Sequence, residues 1–275
     1  MGLTIKYQLS LDGSLSVKEV KAKLNSLRQA CLDLPFQEVG PMWDVKGEQC
    51  NYEQYRGKED DLFWCLIQSN GYVKYRVEWD CLLTGPDVDG VGTHHREVTP
   101  KRVIAFMAYP GKGCESANVG MRLMPKRQAV EWEDFRGNKH TTNIKVPGGQ
   151  KWTWSSFCKT LYATQVSGEH FVHCHLTVIR MLDRAKELGF DVQVQDEGDY
   201  WEKRDIPHLL EEANLSAAGI AAVLGALKDQ GHNVESPITK QKDFEHLEAK
   251  GQEQPQVKEI VNGINALLVK PKPSR

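Results

Sequence analysis

The sequence predicts an α+β fold in which a mixed, mostly antiparallel sheet carries one layer of helices and is followed by a helical C-terminal part. Two stretches have the pattern of a strand, a helix and a second strand, and a run of apparent strands without helices separates them. After residue 205 the spacing of apolar residues is helical in outline. We therefore expect a sheet domain over residues 1–205 and a helical region over residues 206–275 that packs on it, or a single domain that includes both.

The first strand–helix–strand stretch begins with Leu3–Leu11, which alternates polar and apolar residues as a half-buried strand does. Ser16 followed by Glu19 forms a capping box and predicts the start of a helix. Apolar residues at helical spacing follow the cap: Val17, Val20, Leu24, Leu27, Cys31 and Leu34. Pro35 ends the predicted helix, and Glu38–Val45 is predicted to return as a strand.

The middle of the chain lacks helical spacing and predicts an antiparallel meander. Residues 46–60 are polar and are predicted to be loop, and residues 126–150 are predicted to be a long, mobile excursion because they are polar and contain two glycine turns. Between these lie the segments that we expect to be strands: 62–67, 72–83, 102–109 and 118–124.

The second strand–helix–strand stretch repeats the order and length of the first. Trp154–Gln165 is predicted to be a strand, Glu169–Leu188 a helix with Gly189 just after its end, and Phe190–Gln195 a strand. The two β-α-β units together resemble ferredoxin-like half-domains in outline, which is a likeness of architecture and implies no function. The helices expected after them are Pro207–Ala213, Ser216–Lys228, Asp243–Lys250 and Gln256–Val269.

The composition is that of an ordinary globular protein and narrows the classes of partner. Of the 275 residues, 40% are hydrophobic and 26% are charged. The net charge of -2 gives no electrostatic signal for nucleic acid or a membrane surface. We expect no membrane-spanning segment, because no run of about 18 apolar residues occurs. A small molecule or a protein therefore stays as the expected partner.

The cysteines favour a reducing compartment. The chain contains 7 of them, scattered and without a C-x-x-C pair, so neither a structural zinc site nor a disulfide framework is expected. Together with the absence of a signal-peptide pattern at the start, this predicts a cytoplasmic protein with free thiols.

The strongest pointer to a functional site lies between residues 169 and 201. Histidines and a cysteine come early in the second predicted helix, and carboxylates follow the strand after it: His170, His173, Cys174, His175, Asp196, Glu197 and Asp199. In a β-α-β unit the helix begins at the carboxyl end of the first strand, and the second strand ends at the same edge of the sheet. We therefore expect the histidines to lie near the carboxylates at an edge where ligands often bind.

His175 is the sharpest candidate within this group. It lies on the apolar stripe of the predicted helix with Phe171 and Ile179, either as a general base or metal ligand in a partly desolvated site, or as a core histidine hydrogen-bonded to backbone or a carboxylate. His173 lies on the polar side of the helix. The two side chains point about 200° apart, which is too divergent for them to share a metal ion.

The candidate roles follow from this geometry. His175, Asp196 and Glu197 are the catalytic candidates, with a divalent cation as an option. The candidates for ligand binding are His173, Gln165, Asp199, Tyr200, Trp201 and Arg204. Structural roles are open for the same residues: Asp199 can cap the next helix or form ion pairs, and the aromatic pair can cover the core.

Two further motifs have weaker patterns. Cys158, His175 and Asp196 could form a nucleophilic set, but Cys158 is predicted to lie mid-strand, up to about 23 Å from the site edge at the rise of a strand. Pro110–Gly120 has two glycines around a lysine but lacks the Lys-Ser/Thr of a phosphate-binding loop. We interpret it as a turn between two strands.

Two functional hypotheses follow. The first is a protein that binds a small ligand or a partner, with the polar residues as a structural network and aromatic residues as the contact surface. The alternative is a hydrolase-type enzyme that uses His175 with Asp196 and Glu197 at the sheet edge. No complete catalytic motif favours the enzyme, and no pattern identifies a cofactor, a metal or an oligomeric state.

Overall fold

The computed structural model describes residues 3–58, 60–78, 91–133, 137–229, 231–234, 236, 238–240 and 243–268, and it confirms the α+β class. The strands are β1 (Thr4–Leu11), β2 (Glu38–Val39), β3 (Trp43–Lys46), β4 (Gly71–Glu78), β5 (Val91–Val98), β6 (Arg102–Tyr109), β7 (Ala117–Leu123), β8 (Arg127–Glu133), β9 (Lys139–Lys145), β10 (Trp152–Lys159) and β11 (Asp191–Asp196). The helices are α1 (Val17–Asp33), α2 (Asp61–Ser69), α3 (Gly168–Glu187), α4 (Tyr200–Lys203), α5 (Ile206–Asp229), α6 (Phe244–Gln252) and α7 (Pro255–Leu268). Short 3₁₀ turns cover Gly47–Cys50, Tyr52–Tyr55, Leu161–Gln165 and Ile238–Lys240.

The central sheet has the strand order β11-β1-β10-β7-β6-β2, and β3 also pairs with β6. Every strand pair in the described part of the chain is antiparallel. In β1, Ile5 lies opposite Cys158 of β10 on one side and opposite Asp196 of β11 on the other. β10 and β11 therefore run in the same direction, and their carboxyl ends lie at one edge of the sheet.

Helices cover both faces of this sheet, whereas the sequence predicted one layer. In β7, Val119 and Met121 are buried in the core on the face that α1 and α3 cover. Asn118 and Arg122 alternate with them and face α2, whose last carbonyl groups accept hydrogen bonds from Arg122. Residues of both parities in β6 are fully buried for the same reason.

The helix α2 replaces the strand that was predicted over residues 62–67. Asp60 caps it by accepting a hydrogen bond from the Phe63 amide at 3.0 Å, and the buried residues Leu62, Cys65 and Leu66 follow helical spacing. The strand prediction was wrong because a short apolar run does not distinguish a strand from a buried helix.

Other segments also differ from the predictions. β10 ends at Lys159 rather than at Gln165, because the backbone of Thr160 takes up helical angles (φ -115°, ψ -12°) and the chain then turns through a 3₁₀ segment. Residues 46–60, predicted to be loop, contain the end of β3 and two 3₁₀ turns.

The predicted excursion over residues 126–150 is largely the hairpin β8–β9, and the strand predicted over 72–83 forms the hairpin β4–β5 with the strand after it. Residues 79–83 of that prediction lie outside the described residues. The two hairpins are separate from the central sheet and share a small core that includes Val73 and Val146.

The C-terminal helices pack against the start of α3. α5 is one continuous helix where two were predicted, and its Leu209 lies in the same cluster of buried residues as Phe171. Gly251 of α6 lies so close to the Ala218 carbonyl that no Cβ fits between them. By length and composition alone α5 could cross a membrane, and half of its most apolar stretch is buried inside the protein. Residues 269–275 lie outside the described part.

Candidate functional site

The structure brings His175 and Asp196 together. α3 begins after Ser167, whose hydroxyl caps the helix by accepting from the His170 amide at 3.0 Å. Two turns into α3, the His175 Nε2 lies 3.2 Å from the Asp196 Oδ2, and its Nδ1 lies 3.0 Å from the Thr160 hydroxyl. His175 has 0% of its surface exposed, and the Asp196 side chain 1%. Both ring nitrogens are thus engaged inside the protein.

The Asp196 carboxylate is also fully engaged. Its Oδ1 accepts from the Gly198 amide at 2.9 Å, and its Oδ2 accepts from the Trp201 amide at 3.0 Å as well as from His175. Burial raises the pKa of Asp196, but the hydrogen bond and charge of His175 and the two amides outweigh it and hold the pKa below its ordinary value. The His175 ring lies between Phe171 and Tyr200, at centroid distances of 5.7 and 6.3 Å. We interpret this arrangement as a closed structural network.

The other residues of the predicted site make local contacts. The Glu197 carboxylate accepts from the Thr4 amide at 3.1 Å and pairs with Lys6 at 2.9 Å, which fixes the end of β11 to β1. Asp199 pairs with Lys203 at 2.9 Å and lies 3.4 Å from the His208 ring. None of these contacts within the described residues involves the His175 ring.

The exposed Arg204 stacks on the half-buried rings of Tyr200 and Trp201 beside α3. Arg204 donates to both oxygens of Asp183, at 2.8 and 2.9 Å, and its guanidinium lies 4.7 Å from the Trp201 ring centroid. Gln165 and His173 are exposed at the surface. The predicted site residues therefore lie in one region, and of the three catalytic candidates only His175 and Asp196 contact each other through their side chains.

The nucleophilic set with Cys158 does not form in this structure. Cys158 lies one residue from the end of β10, much closer to the edge than predicted, but its thiol donates to the Glu115 carbonyl at 3.0 Å. Burial raises the pKa of that thiol. Within the described ranges, no group of three or more His, Cys, Asp or Glu side chains could hold a metal ion.

A second candidate site lies on the other face of the sheet, where α2 crosses β6, β7 and the end of β10. It is a groove with a cavity volume of about 610 Å³, within the usual range for small-molecule sites. We call it the α2 groove and define it by its lining residues: Glu38, Gly40, Asp61, Trp64, Ile67, Gln68, Met107, Tyr109, Glu115, Ser116, Asn118 and Phe157.

The α2 groove lies over an opening in the sheet. β7 and β10 pair at Arg122 and Thr153, and the chain is joined again where the Glu115 amide donates to the Lys159 carbonyl at 2.9 Å. Between these points the Asn118 carbonyl accepts from two side chains instead, the Tyr7 hydroxyl and the Trp154 indole, both at 2.8 Å. Two side-chain hydrogen bonds to the Asn118 carbonyl therefore take the place of strand pairing beside the groove.

Asn118 also has a side chain that the protein leaves unsatisfied. The residue is 2% exposed, lines the groove, and its Oδ1 has no hydrogen-bond partner in the described part of the chain. A buried acceptor without a partner costs about 1–3 kcal/mol, so such atoms are rare in folded proteins. Three other buried polar atoms also lack a partner among the described residues, Trp43 Nε1, Asn70 Oδ1 and Arg122 Nε, but only Asn118 lines the groove, so its oxygen is the one that a ligand there would satisfy.

The walls of the groove combine aromatic and acidic groups. Trp64 is 45% exposed although it is large and apolar, and Phe157 of β10 lines the same groove. Burial raises the pKa of Asp61, and the neighbouring negative charges of Glu38 and Asp60 raise it further. The Asp61 carboxylate therefore lies in a negative and partly desolvated environment.

Arg122 holds α2 in the position that forms the groove. Its Nη1 donates to the Ser69 and Asn70 carbonyls, at 2.7 and 2.6 Å, at the C-terminal end of the helix. A cation is favourable there because the last carbonyl groups of a helix carry partial negative charge.

We expect Arg122→Met to lower the free energy of unfolding by about 2 kcal/mol, because two hydrogen bonds from a charged donor are lost. Amide hydrogen exchange in α2 should accelerate, and urea unfolding measures the stability. Arg184→Met is the matched control: Arg184 pairs with Glu187 on the surface, and its loss should cost about 0.5 kcal/mol or less. Equal losses in the two variants would contradict the anchoring role of Arg122.

The sequence did not indicate the α2 groove. Its residues come from five separate segments, and the strand predicted over 62–67 placed Trp64 and Ile67 incorrectly. One signal was present: read as a helix, residues 61–69 leave Trp64, Ile67 and Gln68 on the side opposite the buried stripe.

In comparisons with protein-family models, curated proteins and solved structures, none matches this chain.

Proposed function

We propose that this protein binds a small organic molecule in the α2 groove. The single observation that carries the proposal is the Asn118 Oδ1, a buried acceptor without a partner in the wall of the cavity. The exposed face of Trp64 supports it, because a large aromatic surface gains binding energy when a ligand covers it. The proposal keeps the sequence-based hypothesis of a binding protein. It places the binding site in the α2 groove and not at the sheet edge.

The hydrolase hypothesis has less support. A general base must reach the proton that it abstracts, directly or through one water molecule. Both nitrogens of His175 already have partners, and its side chain has no exposed surface. These contacts weigh against a catalytic role and favour the binding hypothesis.

A fragment screen by saturation-transfer NMR tests the proposed function. We expect the Trp64→Ala variant to weaken the hits by about tenfold or more, because aromatic anchors contribute heavily to binding. Leu32→Ala is the matched control: Leu32 is 48% exposed, close to the 45% of Trp64, but lies on α1 outside the groove. A screen without hits, or hits that bind both variants equally, would contradict the proposal.

We also propose that the chain is built on two β-α-β units, similar in outline to ferredoxin-like half-domains. For the second unit, the support is that α3 joins β10 to β11, which run in the same direction on either side of β1. In the first unit α1 joins β1 to β2, and β10, β7 and β6 lie between those two strands.

A further inference from the structure

The charge of the α2 groove is one-sided. Glu38 from β2, Asp61 from α2 and Glu115 from the segment before β7 line the same cavity, and the described lining residues include no lysine or arginine. Three different elements bring these carboxylates together, so the charge is a property of the cavity and not of one helix end. An anionic ligand would be repelled there.

Two of these carboxylates have no cationic side chain as a partner among the described residues. Glu115 pairs with Lys159 at 3.1 Å, and both side chains are largely exposed. Within the described part of the chain, the carboxylates of Glu38 and Asp61 make neither an ion pair nor a hydrogen bond. Since burying a carboxylate without a partner is costly, the uncompensated charge of Asp61 favours a cation from outside the protein.

Asn118 gives an independent indication of the same chemistry. Its Oδ1 is an acceptor only, so the group that satisfies it must be a hydrogen-bond donor. A protonated amine has up to three N–H donors and a positive charge, so it can serve the amide oxygen and a carboxylate together. A hydroxyl can donate to the amide oxygen but does not neutralise the carboxylate, and a ligand carboxylate can do neither.

The aromatic walls fit the remainder of such a ligand. Trp64, Tyr109 and Phe157 provide ring faces, which attract cations and also cover apolar groups. The ring of Phe157 already has the Lys159 ammonium group 5.4 Å from its centroid, at the rim of the groove. Because Lys159 already places a positive charge beside Phe157, this ring suits the apolar body of the ligand, and the charged group belongs near Asp61.

From these contacts we infer that the ligand of the α2 groove is an organic cation, a protonated amine on an apolar body, with its N–H groups at Asn118 and Asp61 and its body against Trp64 and Phe157. This inference rests on the proposed function, because it names the chemical class of the ligand for the same site. The inference goes beyond the proposed function because it expects cationic ligands to be preferred over neutral and anionic ones.

Matched ligands test the inference. Isothermal titration calorimetry compares three pairs of amine and alcohol of the same shape: tryptamine with tryptophol, phenethylamine with phenethyl alcohol, and hexylamine with hexanol; indole-3-propionate is the anion. We expect at least one amine to bind about tenfold or more tightly than its alcohol, which corresponds to one good charge-assisted contact. The anion should not bind measurably.

The outcomes separate the two proposals. If fragments bind in the groove but no amine binds better than its alcohol, the cation inference is overturned and the proposed function stands. If neither fragments nor amines bind, both fail. If the amines bind equally well to Trp64→Ala and to wild type, they bind elsewhere, and the inference is overturned.

Two variants examine the contacts that the inference names. Asn118→Leu removes the orphaned oxygen at similar volume, so the amine should bind at least tenfold more weakly while the melting temperature stays or rises. Asp61→Asn should remove most of the preference for the amine over the alcohol. Asp33→Asn, an exposed carboxylate outside the groove, is the control and should leave that preference unchanged. Unchanged amine binding by Asn118→Leu would overturn the inference, because a ligand that donates to the amide oxygen must bind more weakly without it.

Discussion

His175→Ala is expected to lower the free energy of unfolding by about 3–5 kcal/mol. The substitution removes the donor that faces Asp196, whose side chain is 1% exposed, and leaves that carboxylate buried with only backbone partners on its other contacts. It also leaves the Thr160 hydroxyl without its partner at Nδ1 and opens a cavity between Phe171 and Tyr200. All of these losses destabilise the folded state, and the unpaired buried carboxylate is the largest of them.

Urea unfolding followed by circular dichroism measures this effect. His173→Ala is the matched control, because His173 lies two residues away on the same helix and is exposed; its loss should cost about 0.5 kcal/mol or less. A His175→Ala variant as stable as the His173→Ala control would show that the ring does not hold the structure together. In that case the enzyme hypothesis would regain support, and metal content by mass spectrometry would be the next measurement.

The contact between His175 and Asp196 could be predicted from sequence because it depends only on the order and direction of two strands and the helix between them. The prediction needed only that a helix starts near the end of one strand and that the next strand ends at the same edge. The structure has β10 and β11 in the same direction on either side of β1, and this brings the two residues within 3.2 Å. Spacing did not reveal that Thr160 and two backbone amides would occupy the remaining positions.

The α2 groove could not be predicted because it depends on how distant segments pack. Asp61, Asn118 and Phe157 are far apart in the chain, and no spacing relates them. The local error over residues 62–67 also mattered, since a strand would have turned Trp64 and Ile67 to opposite faces. A nine-residue helix with both faces partly apolar has too little periodicity to be distinguished from a strand.

The orphaned oxygen of Asn118 is likewise invisible in the sequence. From sequence, an asparagine within an apolar strand is expected to have a hydrogen-bond partner, since most buried polar groups have one. Only the opening between β7 and β10 leaves its side chain in the wall of a cavity while its own carbonyl is satisfied by Tyr7 and Trp154. The site thus depends on a local break in the pairing of β7 with β10. The alternation of polar and apolar residues in the sequence does not reveal this break.

Asp196→Asn is expected to remove a pH-dependent part of the stability. The pKa of Asp196 is lower in the folded protein than its ordinary value, so the unfolded chain binds the proton more readily. The contribution is therefore complete above the ordinary pKa of about 4 and is lost as the pH falls through the folded pKa. Wild type should exceed the variant by about 3 kcal/mol near neutral pH, because the amide weakens a buried network of charged hydrogen bonds.

Urea unfolding of both proteins from pH 7 down to pH 3 measures this difference, which should narrow with acid because asparagine does not titrate. Asp199→Asn is the control: the pKa of Asp199 is also lowered, by Lys203 and His208, but its side chain is exposed and salt screens its contacts. Its effect should therefore disappear in high salt, whereas that of the buried Asp196 should persist. A difference in unfolding free energy between wild type and Asp196→Asn that stays constant with pH would contradict this prediction. It would mean that the charge of the carboxylate does not stabilise the network.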